Sequence, residues 1–200
     1  MIKFENVTIK YKRKIACSNI SFCAENGNIT VLLGRNGSGK TSLLKAACGL
    51  IKHEGNITSD GKIAYMPQVL PRVDMSVIEL IMCGKTDSSN LFKALSDTEK
   101  NECLNILHQT HLEEYEDVPV SELSGGERQR AFFAMLLARN ASTIILDEPT
   151  ANLDSEYKEM VYNFTKDLKQ KGYAVLMVLH HKGEAQKIAD KIVEMPTQVI

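Results

Sequence analysis

The sequence predicts an α/β fold, a parallel sheet with its helices, interrupted by a mostly helical block. Three observations carry this. The apolar runs "TIIL" and "YAVLMVL" flank a segment of helical periodicity from Ser155 to Lys171, the β-α-β order of a parallel sheet. The run "ITVLL", Ile29–Leu33, is fully apolar apart from one threonine and leads straight into a glycine-rich loop and a helix. Between Pro71 and Arg139 the β-branched runs fade and helical spacing takes over.

Taken in order, the first thirty residues read as short strands. "KFENVTIKY" partly alternates, with Phe4, Val7, Ile9 and Tyr11 as the apolar or aromatic positions, and "NGN" at Asn26–Asn28 signals a turn. "TSLLKAACGL" opens a helix that ends near Gly49, and "KIAYM" is a further strand. In the helical block, "SVIELIMCG" ends at Gly84. "SDTEKNECLNILHQ" begins with Ser96 three residues before Glu99, a capping-box spacing, and sets Cys103, Ile106, Leu107 and Thr110 at helical intervals. "GERQRAFFAMLLARN" is apolar enough to lie under a core. The helix from Ser155 presents Tyr157, Val161, Phe164 and Leu168 on one face.

Composition sets the outer limits. The 200 residues, 44% hydrophobic and 24% charged, suffice for one domain with its own core and no staples. A net charge of −1 argues against a broad nucleic-acid surface. The densest basic run, "KYKRK" at Lys10–Lys14, reads as a solvated hairpin or loop. Cys17, Cys23, Cys48, Cys83 and Cys103 show no C-x-x-C spacing, so reduced thiols are expected and a zinc site is not. The start "MIKFENVTIK" reads as a strand rather than a targeting peptide. No apolar run approaches the roughly 20 residues that span a bilayer, so any membrane role is expected to come through a partner.

Two motifs carry chemistry on their own. "GRNGSGKT", Gly34–Thr41, matches G-x-x-x-x-G-K-[ST] between a strand and a helix. Gly34, Gly37 and Gly39 let the backbone of Arg35, Asn36 and Ser38 turn its N–H groups toward phosphates, and the helix start adds its dipole. Lys40 reaches the β- and γ-phosphates, and the Thr41 hydroxyl is a ligand for Mg²⁺. "TIILDEPT" places Asp147 and Glu148 just past a buried strand, where open parallel sheets bind ligands. Asp147 suits a water-mediated hold on Mg²⁺ and Glu148 suits orienting or deprotonating an attacking water. Together they make a P-loop nucleoside triphosphatase.

A third stretch, "SELSGGERQR", begins a helix with Ser124, Gly125 and Gly126, a second anion-binding start in one small chain. With it, the sequence resembles the ATP-binding subunit of an ABC transporter over nearly its full length. The matches run in order through "VTIKYKRK", "GRNGSGKT", "YMPQ", "LSGGERQR", "TIILDEPT", "ANLD" and "VLMVLHHKGEA". The resemblance implies a single domain over residues 1–200: a RecA-like P-loop core with an N-terminal antiparallel β subdomain in 1–70 and 140–200, and an inserted helical subdomain in 71–139.

It also implies roles. Tyr11 stacks on adenine, Gln68 touches Mg²⁺ and water and relays movement, and Asp154 contacts a partner subunit. Ser124, Gly125 and Gly126 bind the neighbour's nucleotide. The family carries one catalytic histidine after the last strand, with an alanine five residues on. Ala185 is five after His180, which selects His180 over His181, and His181 then stands where an acid is usual. The expected cofactors are ATP and Mg²⁺. The expected partners are an identical or paired ATPase subunit, permease subunits docking near Gln68–Gly84, and a solute-binding protein, without direct nucleic-acid contact. The expected place is cytoplasmic, on the inner face of the membrane through the permease.

The short connection "GNITSDGKIAYMPQ" resembles that of zinc and manganese importers, and "MSVIELIMCGK" that of metal-chelate importers, which points to a metal or metal-chelate cargo. Two other readings are an ABC ATPase acting on nucleic acid or ribosomes and a regulatory module that holds ATP without turnover. The former usually carries fused cassettes or a coiled-coil insertion, absent here, and the complete catalytic set speaks against the latter.

Overall fold

The structure, a computed structural model, describes residues 1–12, 14–86, 94–151 and 153–196. Arg13 of the basic run, Asn152 of "ANLD" and the tail beyond residue 196 lie outside the described residues. The chain forms two compact units, Met1–Gln68 with Ser142–Ile200, and Val69–Ala141.

The first unit opens with a hairpin of β1 (Ile2–Tyr11) and β2 (Lys14–Ala24), antiparallel, in which Phe4 faces Phe22 with ring centroids 4.4 Å apart and stacked. Ile2 and Phe4 are buried, then Val7 and Ile9, one residue out of strict alternation. A register shift between Phe4 and Val7, with Asn6 at φ 52°, absorbs the extra residue and keeps both pairs on the core face. The last of three register shifts, between Ile9 and Lys10, ends the pattern, so Tyr11, expected to continue it, is 47% exposed. Next come the wholly buried β3 (Ile29–Leu33), α1 (Lys40–Ala47), β4 (Glu54–Ser59) and β5 (Ile63–Met66). β4 completes a three-stranded sheet of order β2-β1-β4, with Ile57 opposite Phe4.

The second unit holds α2 (Val77–Cys83), α3 (Asp97–Gln109) and α4 (Gly125–Ala138). Each begins with a complete capping box, Ser76 with Glu79, Ser96 with Glu99, and Ser124 with Glu127. Each box satisfies two of the amide donors that a helix start leaves open. α2 closes tightly on α4: a Cβ at Gly84 would lie 2.3 Å from the Met135 carbonyl oxygen. Ala131, Phe132, Phe133, Ala134 and Leu136 of α4 are buried, as its composition predicts.

The chain then returns to the first unit with β6 (Thr143–Leu146), α5 (Ser155–Gln170), β7 (Ala174–Val178), α6 (Lys182–Ile188) and β8 (Lys191–Glu194). The buried stripe of α5 runs through Val161, Tyr162, Thr165 and Leu168, while Tyr157 and Phe164 are half-buried. Thr165 fits the stripe because its hydroxyl donates to the Tyr162 carbonyl at 2.8 Å, which hides its polarity inside the helix. The five-stranded sheet has the order β5-β6-β7-β3-β8, every pair parallel. Asp190 pins its edge: its carboxylate accepts from the Ile29 N–H at 2.8 Å and pairs with Lys169 at 2.5 Å.

The register decides where chemistry gathers. Met66 pairs with Leu146, Leu146 with Met177, and Leu32 with Val178. The C-terminal ends of β5, β6, β7 and β3 therefore lie side by side. The segments that leave them carry Gln68, Asp147 with Glu148, His180, and the loop Gly34–Gly39. Four stretches far apart in sequence meet at one edge of the sheet, the edge where parallel sheets bind ligands.

Candidate functional site

The loop after β3 is held from inside. Lys40 is 4% exposed, and its ammonium donates to the carbonyl oxygens of Gly34 at 2.7 Å and Arg35 at 3.1 Å. Burial pushes the Lys40 pKa down, while the neighbouring Glu148 and Asp147 carboxylates push back. Gly39, at φ 90°, is the N-cap of α1, and the turn is closed by the Ser38 N–H on the Arg35 carbonyl. Arg35, Asn36 and Gly37 are exposed on its rim, whereas Ser38 is buried.

Beside the loop lies a buried carboxylate. Asp147 is 1% exposed, and each of its oxygens accepts one hydroxyl, Thr41 on Oδ1 at 3.2 Å and Tyr65 on Oδ2 at 3.3 Å. Burial raises the Asp147 pKa, against the two hydroxyl donors. Burial likewise pushes the Tyr65 phenol up, helped by the negative charge of Asp147.

Glu148 is gripped differently. Its Oε2 accepts from the Gln68 side-chain amide at 2.6 Å and its Oε1 meets His180 Nε2 at 2.6 Å. A carboxylate only accepts, so His180 carries a hydrogen on Nε2. The Glu148 backbone sits at φ 52°, an uncommon conformation for a non-glycine residue and one found where a site dictates the geometry. Gln68, Glu148 and His180, named from three separate motifs, thus form one cluster.

A cavity of about 460 Å³ is lined by Tyr11, Lys14 and Ala16 from the hairpin, by Asn36, Gly37 and Gly39 to Ser42, and by Gln68, Glu148 and His180. Tyr11 donates to the Ser42 hydroxyl at 3.2 Å. A second cavity of about 480 Å³ shares Asn36, Gln68, Glu148 and His180, and extends past Thr150, Lys158 and His181 to Glu184.

The structure places the two histidines differently. His180 reaches Glu148, while His181 is the exposed N-cap of α6 and makes no side-chain cap. Asp154 caps α5, accepting from the Tyr157 N–H at 3.0 Å. Ser124 caps α4: its Oγ accepts from Glu127 N–H at 3.4 Å and its own N–H donates to Glu127 Oε2 at 2.8 Å. Tyr115 donates to the same Glu127 at 2.7 Å. Gly125 starts α4, and Gly126 beside it is buried. Tyr65, Ala16 and Ser42 were not singled out by sequence, and Lys14 was read only as part of a solvated basic run. Tyr65 stood in "IAYM", but nothing local says that its hydroxyl meets a carboxylate 82 residues away.

Comparison with known proteins identifies the family. A family profile described as ABC transporter matches residues 17–151. The manganese transport system ATP-binding protein MntB of Listeria monocytogenes is 31% identical over all of this chain and 88% of its own length. A Helicobacter pylori protein named for iron chelatin transport, also as an ATP-binding protein, is 32% identical over 90% of this chain and 77% of its own. Among solved structures, a metal-chelate type ABC transporter in an inward-facing conformation superposes with a TM-score of 0.88 at 26% identity, covering 97% of this chain and 79% of that one. The ADP conformation of an ATP-binding cassette superposes at 0.85 with 23% identity over 97% and 86%, a likeness of fold. The chain belongs to the ABC transporter family, as an ATP-binding and ATP-hydrolysing subunit.

Proposed function

We propose that the chain drives transport of a metal ion or metal chelate by hydrolysing ATP in a paired arrangement of two subunits. The observation that carries the chemistry is the double grip on Glu148, both oxygens held beside the phosphate loop by Gln68 and His180. Backbone N–H groups of Gly34 to Lys40 wrap the phosphates, Lys40 turns from the loop carbonyls to the β- and γ-oxygens, and Tyr11 stacks on the adenine. Glu148 orients a water in line with the γ-phosphorus and takes its proton, while His180 turns its Nε2–H from Glu148 to a γ-phosphate oxygen. The P–O bond to the leaving ADP breaks as the bond to water forms.

Thr41, Asp147 and Gln68 fit Mg²⁺: a hydroxyl, a buried carboxylate and an amide are all hard oxygen donors. Among the described residues no group of three His, Cys, Asp or Glu could hold a metal ion by itself. That suits an ion that keeps several waters and takes phosphate oxygens rather than an all-protein cage. Bound there, Mg²⁺ would neutralise charge on the β- and γ-phosphates.

The second subunit enters through Ser124. Ser124 is exposed at the start of α4, where its side chain accepts from the Glu127 N–H and donates to the Glu127 carboxylate, a bond that it can exchange for a phosphate oxygen. Gly125 has no positive φ, and a Cβ there would meet nothing within 4 Å, so neither strain nor crowding within the unit requires glycine. A close approach from outside would require it. We place the γ-phosphate of the partner's nucleotide against Ser124, Gly125 and Gly126, with Asp154 at the same contact. Two such half-sites per chain close symmetrically in a two-fold dimer.

Heterodimers test this. With Glu148→Gln in one subunit and Ser124→Arg in the other, a shared site leaves one complete centre and about half of the ATPase activity. With both changes in the same subunit, neither centre is complete and activity falls by about 10²-fold or more. The reverse pattern would show that Ser124 serves its own loop.

No helix among the described residues is long and apolar enough to cross a membrane, so we assign membrane association to permease subunits docking on residues 69–84, at the cytoplasmic face. The manganese and iron-chelate names of the relatives support the cargo. The chain reconstituted with its permease in vesicles is expected to move Mn²⁺ or a ferric chelate in an ATP-dependent way. ATP-dependent movement of another solute class, with neither of these carried, would replace that assignment.

A further inference from the structure

We infer that Tyr65 is a positioning residue for the metal-binding carboxylate, its phenol fixing the rotation of Asp147 so that one oxygen is presented to the cation. The inference rests on the reading of Asp147 as part of the Mg²⁺ site and goes beyond it, since Tyr65 is not among the residues lining the cavity and meets the Asp147 carboxylate from behind it.

Three observations carry it. First, β5 and β6 run parallel with Tyr65 beside Ile145 and Met66 beside Leu146, and the Asp147 N–H donates to the Met66 carbonyl at 3.0 Å. The backbone therefore holds the end of β5 against the start of the acidic loop. The phenol spans the remaining step to the carboxylate, with its oxygen 3.3 Å from Oδ2. Second, the ring is anchored. Tyr65 packs against the core cluster that includes Leu43, Leu44 and Ile145, so the hydroxyl is delivered on a rigid strut. Third, the division of labour is complete. Thr41 donates to Oδ1 and Tyr65 to Oδ2, so the carboxylate plane is held from both sides. Thr41 can keep that bond while its lone pairs face a cation, because a hydroxyl donates one hydrogen and accepts through the rest. Oδ2 depends on Tyr65 for its hydroxyl donor. Without it, a carboxylate that is 1% exposed loses half of this hold and can rotate.

Such outer-layer hydrogen bonds to metal-binding carboxylates set affinity by about 10- to 100-fold. Tyr65→Phe keeps the ring and its packing and removes only the hydroxyl.

The experiment uses the full chain as wild type, Tyr65→Phe and Asp147→Asn. Mn²⁺ binding at saturating ADP is followed through the electron paramagnetic resonance signal of free Mn²⁺, and ADP binding is measured separately in EDTA. Tyr65→Phe is expected to weaken Mn²⁺ binding about tenfold and to leave metal-free ADP affinity within about twofold of wild type. Asp147→Asn is expected to weaken Mn²⁺ at least as much. If Asp147→Asn weakens Mn²⁺ and Tyr65→Phe does not, the inference is overturned while the metal site stands. If Tyr65→Phe lowers metal-free ADP affinity as much as it lowers Mn²⁺ affinity, Tyr65 is merely structural and the inference is again overturned. If Asp147→Asn binds Mn²⁺ like wild type, the metal reading falls and the inference with it.

Discussion

Glu148→Gln is expected to bind ATP as wild type does and to release phosphate about 10²- to 10⁴-fold more slowly, a barrier raised by roughly 3–5 kcal/mol. Binding survives because the groups that wrap the phosphates, the loop Gly34–Thr41 and Lys40, are untouched. Turnover falls for two reasons. The amide cannot take the proton of the attacking water. Nor can it satisfy the two donors that meet at this position, Gln68 Nε2 and His180 Nε2, each 2.6 Å from a different oxygen of Glu148. One end of an amide accepts and the other donates, so one of these contacts becomes donor against donor unless Gln68 turns its own amide over, and either way the grip of the wild type is lost. Asp147 is no substitute base, since it is 1% exposed and already engaged by Thr41 and Tyr65. A phosphate-release assay beside a nucleotide-binding titration separates the two effects. Equal hydrolysis by both proteins would remove Glu148 from the role of base.

That every group in this argument except Tyr65 could be named from sequence has a physical reason. "ITVLLGRNGSGKT" is contiguous: strand, loop and helix start are all local, so spacing alone places Lys40 and Thr41 at the helix start. "TIILDEPT" likewise carries its own strand. The meeting of Gln68, Glu148 and His180 depends instead on the order β5-β6-β7, which pairs segments that no local pattern connects. Family resemblance names Gln68 and His180 but not their meeting with Glu148, because periodicity says which segments are strands but not which are neighbours. β4 was missed for a related reason. "EGNITS" has one apolar residue, and its strand is defined by pairing with β1. The capping boxes Ser76-x-x-Glu79 and Ser124-x-x-Glu127 were legible in principle. At Ser124 the adjacent glycines drew attention to anion binding, although the serine also has this ordinary structural duty. Asp154 carries the same double reading, as the cap of α5 and as a surface contact.

The other large effect is expected at Gly39. Gly39→Ala should weaken ATP binding by about 100-fold or more, whereas Gly37→Ala should cost only about tenfold, although both glycines have positive φ. Gly37 is at φ 80° and Gly39 at φ 90°, so alanine at either position suffers similar backbone strain, roughly 1–2 kcal/mol. The surroundings differ. A Cβ at Gly37 meets nothing within 4 Å. A Cβ at Gly39 would lie 2.2 Å from the Ala16 carbonyl oxygen, 2.8 Å from its carbon and 3.0 Å from Cys17 Cβ. Those first two atoms are backbone of β2, paired to β1 and unable to swing aside as the end of a side chain would. The loop must instead move away from the strand by about an ångström to restore ordinary contact. Gly39 is the N-cap of α1, so that shift displaces both the helix start and the amides that wrap the phosphates, and it drags Lys40 from its place over the loop. Titration of the two variants with a fluorescent nucleotide, with melting temperatures recorded alongside, distinguishes crowding from strain. Equal losses at both positions would mean that left-handed backbone geometry alone sets the requirement. A loss concentrated at Gly39 assigns it to the close approach of β2, and makes the N-terminal hairpin part of the nucleotide site through the shape it imposes on the loop.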